Sequence, residues 1–367
     1  DDLLNKFDKS EFNDENLILT EAHNIQENLR DKLRVSLHKK DWLVFGNKLS
    51  PKNKDVIKLY DSFKKQFFLK AIPNKKYVFL EEIDKEILKR VFLKYSIFSE
   101  KFSKLYQSIL SGWACWVILD KDNFEWILNV EPIDPFDQIK ELLSSNNTIF
   151  LSSLRKDIFV RKSLENHNIK INSALNFKSS FLEKQILIYS PKKEMLPNNP
   201  LFVESIIDKC VKYSYFCKGV STFLSDENDL KINLATNLAS IYGAKVLLEE
   251  YKPLDDQLIC SSFDWWIKNC ELFPIPNQIF IPILPFPNMG EPINQITVSY
   301  LNKKSKDWFK EFILPETLQK IERAVFTLRK NSGKLIILDG RITKRDWGRK
   351  IIQMIQPQKE ISCLFPF

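Results

Sequence analysis

The sequence predicts an α/β fold, an open parallel sheet covered by helices on both faces, with a largely helical segment inserted near its start. Two observations carry this. Short, nearly continuous apolar runs alternate with longer segments of helical period over most of the chain, and strands buried on both faces of a parallel sheet read this way. Between about Gln26 and Leu128 the alternation gives way to Lys-rich segments with apolar residues three and four apart, the mark of amphipathic helices.

The first element is Leu17-Ile18-Leu19, a buried strand that ends in Thr20-Glu21-Ala22-His23-Asn24 before a helix-permissive stretch. Helices follow in the insertion, where Val56, Leu59, Tyr60, Phe63, Phe67 and Phe68 share one face and Ile87, Leu88, Val91, Phe92 and Tyr95 share another. A second buried strand, Asn147 to Leu151, closes on Ser152-Ser153-Leu154-Arg155. Strand-like runs recur at 185–189, 219–224, 245–248, 257–260, 278–283 and 334–338. Helices are predicted between them at 201–215, 228–242 and 314–329, the last entered through Pro315 in its first turn. In open α/β sheets ligands gather at the carboxyl ends of the strands.

Length and composition narrow the function. At 367 residues the chain has room for two to three domains of roughly 150 residues. An apolar share of 44% and a charged share of 28% exclude a disordered or fibrous chain. The eight glycines, at 46, 112, 219, 243, 290, 333, 340 and 348, frame neither G-x-x-x-x-G-K-[ST] nor G-x-G-x-x-G. Fifty-five Lys and Arg against 47 Asp and Glu give +8, which suits a polyanionic partner and equally suits solubility alone. The longest apolar runs, Trp113–Leu119 and Ile279–Phe286, fall short of the roughly 20 residues a membrane helix needs. No signal stretch opens the sequence and no initiator Met is present, so a cytoplasmic fragment that starts further upstream is expected. Six scattered cysteines without a C-x-x-C pair, and three histidines, predict buried free thiols and no zinc or iron-sulfur site.

A colinear series of motifs carries the functional reading. Leu17 to Asn24 resembles the strand and D-E-A-H box of superfamily 2 helicases in the DinG/XPD form. Ser152-Ser153-Leu154 resembles the end of that family's T-S-A-T-L motif. Tyr189-Ser190-Pro191 and Leu196-Pro197-Asn198-Asn199-Pro200 are similar to its S-P-F and P-x-P-N-x-P segment. Leu284-Pro285-Phe286 through Glu291-Pro292 resembles L-P-F-x-x-P-x-D-P, and Leu314-Pro315-Glu316 resembles the L-P-E-A helix start. Ile336-Ile337-Leu338-Asp339-Gly340-Arg341, followed by Trp347-Gly348, matches the closing I-L-D-x-R and Y-G. The series spans nearly the whole chain.

The resemblance implies RecA-like domains: a partial first one at 1–25 and 125–157, a helical arch-like insertion at 26–124, and a second, C-terminal one at 158–367. It implies an ATP-dependent DNA helicase that moves 5′ to 3′ on single-stranded or forked DNA, with ATP and Mg²⁺ as cofactors; the sequence does not show the oligomeric state, and a monomer is the expectation. The phosphate-binding loop would lie upstream of Asp1. In such phosphoryl transfer one carboxylate serves the metal while a neighbour orients water. By resemblance Thr20 occupies the metal position as a neutral hydroxyl, and Glu21 keeps the water role and the remaining negative charge toward the metal. His23, Ser152 and Ser153 would couple the nucleotide to domain movement. Read alone, without the colinear motifs, Glu21 is sooner a solvated carboxylate past a strand end, and His23 a satisfied loop histidine.

Departures from the family pattern sit at two motifs. The S-F-W-E-G-V-D motif becomes Ser262-Phe263-Asp264-Trp265-Trp266-Ile267-Lys268 without its glycine. The Q-G-x-G-R-x-x-R motif becomes Glu322 to Arg329, which nominates Arg329, or Arg323 in a shifted register, for charge stabilisation on the transferring phosphoryl group. Ser262, Phe263 and Trp308 are the expected nucleic-acid contacts, since single strands are held by cations along the backbone and aromatics against the bases. Lys-rich aromatic stretches at 64–70, 89–104 and 303–310 fit that role, and the first two fit equally a helix with a charged face over an aromatic core. A degenerate, non-hydrolysing relative that binds nucleic acid or a repair partner is the second reading. A non-helicase α/β enzyme would need a catalytic constellation that the sequence does not show.

Overall fold

The computed structural model describes residues 16–48, 55–72, 75–96, 99–145, 147–152, 161, 164–175, 184–216, 218–252 and 256–364. The chain forms two compact units, Asp1–Asn172 with Asn288–Asp307 and Ser173–Pro287 with Trp308–Phe367. No helix among the described residues is long and apolar enough to cross a membrane.

In the first unit, strand β1 (Asn16–Leu19) pairs in parallel with β6 (Asn147–Phe150), Leu19 opposite Phe150. Between them lie helices α1 (Ile25–Leu33), α2 (Lys39–Lys48), α3 (Asp55–Leu69), α4 (Glu82–Tyr95), α5 (Glu100–Leu110) and α6 (Lys140–Ser145). They are joined by an antiparallel sheet that helical periodicity does not announce, in the order β2 (Val35–Leu37), β5 (Glu125–Glu131), β4 (Ala114–Asp120) and β3 (Tyr77–Phe79). The run Trp113–Leu119 belongs to β4: Ala114 to Val117 and Leu119 are all buried, so the strand lacks the alternation that exposes a half-buried one.

Aromatic rings fill this unit's core. Trp42 meets Phe102 edge-on at 5.5 Å between centroids, and Trp126 stacks on Tyr60 at 5.1 Å while its indole N–H donates to the Tyr60 carbonyl at 3.2 Å. Phe63, Phe67 and Phe92 join them. Helix α4 is fixed at its start by the Glu81 and Asp84 capping box. Asp84, itself buried, also accepts from Gln66 Nε2 at 2.6 Å and Lys70 Nζ at 2.9 Å, which ties α3 to α4.

The second unit is built on a seven-stranded parallel sheet in the order β13 (Gln358–Glu360), β7 (Ile186–Tyr189), β12 (Lys334–Ile337), β11 (Gln278–Ile281), β8 (Ser221–Leu224), β10 (Leu258–Ser261), β9 (Val246–Leu248). Alternate residues feed opposite faces. Ile279, Ile281, Leu335 and Ile337 pack with Trp266, Ile321 and Leu328 on one side, while Phe223, Phe280 and Ile336 pack with Ile206, Leu234 and Leu238 on the other. The covering helices include α7 (Phe202–Ser214), α8 (Asn228–Tyr242), α9 (Phe263–Asn269) and, after α10 (Pro292–Lys303) of the first unit, α11 (Leu314–Val325). Pro315 has no N–H to give residue 311, so a regular ladder cannot cross this point, and Phe309–Ile313 widens into a π turn ahead of α11.

Glu249, just past β9, braces the sheet edge. One carboxylate oxygen accepts from Lys231 Nζ and from the Ser262 amide, each at 2.8 Å. Burial opposes ionisation, but these two donors prevail and hold the Glu249 carboxyl below the usual carboxylate range.

Trp126→Ala is expected to lower the unfolding free energy by about 3–5 kcal/mol through cavity formation. Phe124→Ala, at an exposed turn, is expected to change it by less than about 0.5 kcal/mol; urea midpoints of both variants check this. A depressed carboxyl pKa contributes stability above its unfolded value, about 4.3, that disappears as pH falls through the folded value. The stability gap between wild type and Glu249→Gln, present at pH 7, is therefore expected to close on acidification below about pH 4.3, as followed by thermal melts across pH.

Candidate functional site

Two sets of the sequence-selected residues reach strand ends. In the first unit β1 and β6 finish side by side and are laced beyond the ladder: Leu151 N–H donates to the Leu19 carbonyl at 2.9 Å, and Ala22 N–H donates to the Leu151 carbonyl at 2.8 Å. Thr20, Glu21 and Ser152 are exposed there. Glu21 has φ 50° and ψ 45°, a left-handed backbone that costs an L-residue on the order of 1 kcal/mol. Its carboxylate accepts from Asn24 Nδ2 at 3.1 Å. The backbone of His23 lies in the turn Ala22–Asn24; its side chain, and Ser153 as a whole, lie outside the described residues. At this edge a hard cation would find one carboxylate, Glu21, and the neutral hydroxyls of Thr20 and Ser152, a donor set that fits a largely hydrated Mg²⁺.

In the second unit, three motifs far apart in sequence meet at the carboxyl ends of β11 and β12. Asp339 is completely buried. Its carboxylate accepts from the Leu284 amide at 2.9 Å, from the Arg341 amide at 2.9 Å, and from the Arg341 guanidinium at 2.6 and 3.0 Å. Gly340 lies against the carbonyls of Glu194 and Met195, where a Cβ would collide with backbone. Arg341 carries its guanidinium 4.5 Å over the Phe286 ring, and Phe286, Phe309 and Trp347 form a mutual cluster with centroids 5.4 to 6.0 Å apart. Trp308, half-buried, meets Phe309 edge-on at 6.2 Å. The result is an aromatic group packed beside a guanidinium whose charge is answered by Asp339, chemistry that can stack a base.

Other selected residues stand elsewhere. Ser262 is the N-cap of α9, accepting the Trp265 N–H. Phe263 is completely buried in the core, and this corrects its expected nucleic-acid contact: its ring stands against Trp266 and the sheet, and only its amide reaches outward, to Asp226 at 3.0 Å. Arg329 is 4% exposed. Its terminal nitrogens donate to the carbonyls of Ile355 at 2.5 Å, Gln356 and Pro357 at 3.2 Å, and Lys184 at 3.5 Å. Both are thus committed to clasping backbone, which corrects the phosphate-facing role read from the motif. Arg323 is half-buried on the last turn of α11.

Sequence reasoning missed Lys320. Its Nζ lies 3.0 Å from Asp226 and 2.9 Å from Asp264, and although burial works against the charge, the two carboxylates raise its pKa. Asp264 opens α9, where the family pattern has no such pair, so only the paired acid and base positions could have signalled it. The Lys-rich stretches of the first unit are likewise paired within the fold: Lys70 with Glu81 and Asp84, Lys89 with Glu86, and Lys101 with Asp41.

The model of the helicase C-terminal domain matches residues 276–358, the span that holds Phe286, Pro315, Asp339 and Arg341. No curated protein matches the chain. Among solved structures, an XPD helicase aligns at 11% identity and TM-score 0.52, covering 94% of this chain and 68% of its own. An apo form of XPD aligns at 12% and 0.56, covering 94% and 76%. Xpd4 of S. tokodaii aligns at 15% and 0.57, covering 94% and 75%. At such identities the likeness is one of fold, and the parallel sheet of the second unit is RecA-like. Residues 276–358 thus match a helicase C-terminal domain, and over 94% of its length the chain shares the fold of the XPD structures.

Proposed function

We propose that the chain belongs to an ATP-dependent DNA helicase of the DinG/XPD type, in which ATP hydrolysis drives movement along single-stranded DNA and opens a duplex. The observation that carries the reading is the meeting of Leu284, Phe286, Asp339, Arg341 and Trp347 at one sheet edge, which joins motifs that are separate in sequence. In this reading β1 and β6 belong to a partial first RecA-like domain. The arch-like insertion then extends to Glu131, because β5 pairs with β2 and β4. The second RecA-like domain is the parallel sheet and its helices.

Glu21 would orient the attacking water, and Thr20 with Glu21 would hold the Mg²⁺ that neutralises charge on the phosphates when bound. Trp308 and the Arg341 cluster would meet the single strand, and the protein would act as a cytoplasmic monomer. Two observations favour a second reading, a DNA-binding relative that does not hydrolyse ATP. Thr20 brings no charge to the metal, and the guanidinium of Arg329 is occupied by carbonyls.

Phosphate release from ATP by the purified full-length protein, including the sequence upstream of Asp1, with and without single-stranded DNA, separates the two. DNA-stimulated release is expected, reduced about 10²-fold or more in Glu21→Gln; no release from wild type in either condition overturns the motor and leaves the binding module. Arg329→Ala is expected to cost about 2–4 kcal/mol of stability by orphaning buried carbonyls, read as a lower urea midpoint. Arg323→Ala is expected to keep its midpoint and lose turnover, and the reverse pattern would exchange the two roles.

A further inference from the structure

We infer that Asp134, Asp137 and His167 form a binding site for a zinc-class divalent cation in the first unit. Asp134 follows β5 and caps the short turn Pro135–Gln138, accepting the Phe136 N–H on Oδ1 at 3.1 Å. Its other oxygen, Oδ2, stands 3.4 Å from His167 Nε2. Asp137 Oδ1 stands 3.3 Å from the same nitrogen. One ligand atom from each of the three residues lies within 4.8 Å of the others. The imidazole is 8% exposed, and the Phe136 ring stacks on it at 5.8 Å between centroids and 30° between planes. The ring is therefore held with Nε2 facing both carboxylates.

His167 Nε2 lies within ion-pair and hydrogen-bond reach of both carboxylates, and the same separations suit a shared cation. Donors at two corners of a tetrahedron around Zn²⁺, each about 2.0–2.1 Å from the metal, stand about 3.3 Å apart. Both nitrogen–oxygen separations match that value. Two carboxylates balance the charge of a divalent ion. The imidazole favours zinc, cobalt or nickel over magnesium. Asp137 is exposed at its outer side, which leaves a path for exchange and for water as a further ligand. The exposed Lys140 Nζ lies 3.9 Å from Asp137 Oδ1, and Arg30 and Lys304 also act on this acidic pair.

Cysteine and histidine spacing predicted no zinc site, because the donors are one imidazole and two carboxylates from segments that meet only in the fold. Bound metal would fasten the turn after β5 to the segment after β6, and so would tighten the first unit. The residues are separate from those assigned to nucleotide or DNA, and the test reads no ATP turnover.

Chelator-treated protein titrated with Co²⁺ alone is expected to develop visible absorbance that saturates at one equivalent, is abolished by added Zn²⁺, and is accompanied by a rise in melting temperature. Asp137→Asn and His167→Gln are each expected to weaken Co²⁺ binding at least about 10-fold and to remove the rise. His167 is a packing residue, so Asp137→Asn, at an exposed position, is the variant that keeps the test valid if His167→Gln does not fold. No saturable Co²⁺ signal in wild type, or a signal unchanged in Asp137→Asn, overturns the site and leaves a histidine–carboxylate staple.

Discussion

The buried carboxylate of Asp339 is the constraint on which the second unit turns. A fully desolvated charge is tolerated only when it is paired and hydrogen-bonded, and here every partner comes from the ends of two neighbouring strands. The Leu284 amide brings in the chain leaving β11; the Arg341 amide and guanidinium bring in the chain leaving β12. Once Arg341 is fixed by that carboxylate, its flat face is free to lie on Phe286. Phe309 and Trp347 then close around the same ring. A single desolvated charge thus converts parallel pairing, which only guarantees that strand ends share an edge, into a defined surface at that edge.

How legible this was depended on what each pattern encodes. The strands of the second unit stood out because both faces are buried and the sequence stays apolar for four or five residues, as at Ile279–Ile281 and Leu335–Ile337. Strand β4 is equally apolar, yet it sits among Lys-rich helices, and nothing local separates it from a buried helical turn. The motifs gave the positions of Asp339 and Arg341 but not which way a side chain points. Phe263 and Arg329 show the difference: letters that fit a contact motif are satisfied inside the fold, one by hydrophobic packing and the other by four carbonyls. Asp134, Asp137 and His167 escaped because nothing in their spacing links them before the chain folds.

Charge tells a similar story. The excess of eight positive charges suits a polyanion, but in helices α3 to α5 many lysines answer carboxylates one turn away or on the next helix. Exposed pairs of this kind contribute little stability; their effect is to flatten the local potential. Beneath them Phe63, Phe67, Phe92 and Phe102 are core, so the aromatic and basic residues of these helices face opposite ways. In the second unit Lys320 between Asp226 and Asp264 neutralises another part of the strand-end edge. Attraction for a nucleic acid then falls to fewer places than the composition suggests, and at the Arg341 cluster, where the guanidinium answers Asp339, the surface offers rings more than net charge.

The π turn ahead of α11 has a consequence for how that helix is aimed. It holds one more residue than a regular turn needs, and each residue of an α-helix advances by about 100°. Phe312 and Ile313 can therefore face inward while Phe309, on the far side of the widened turn, swings round toward Phe286 and Trp347. Shortening this segment by one position would restore an ordinary spiral, yet it would rotate the Phe309 ring away from those two. The extra residue acts as an angular spacer, so the orientation of this surface can be reset without touching the sheet that supports it.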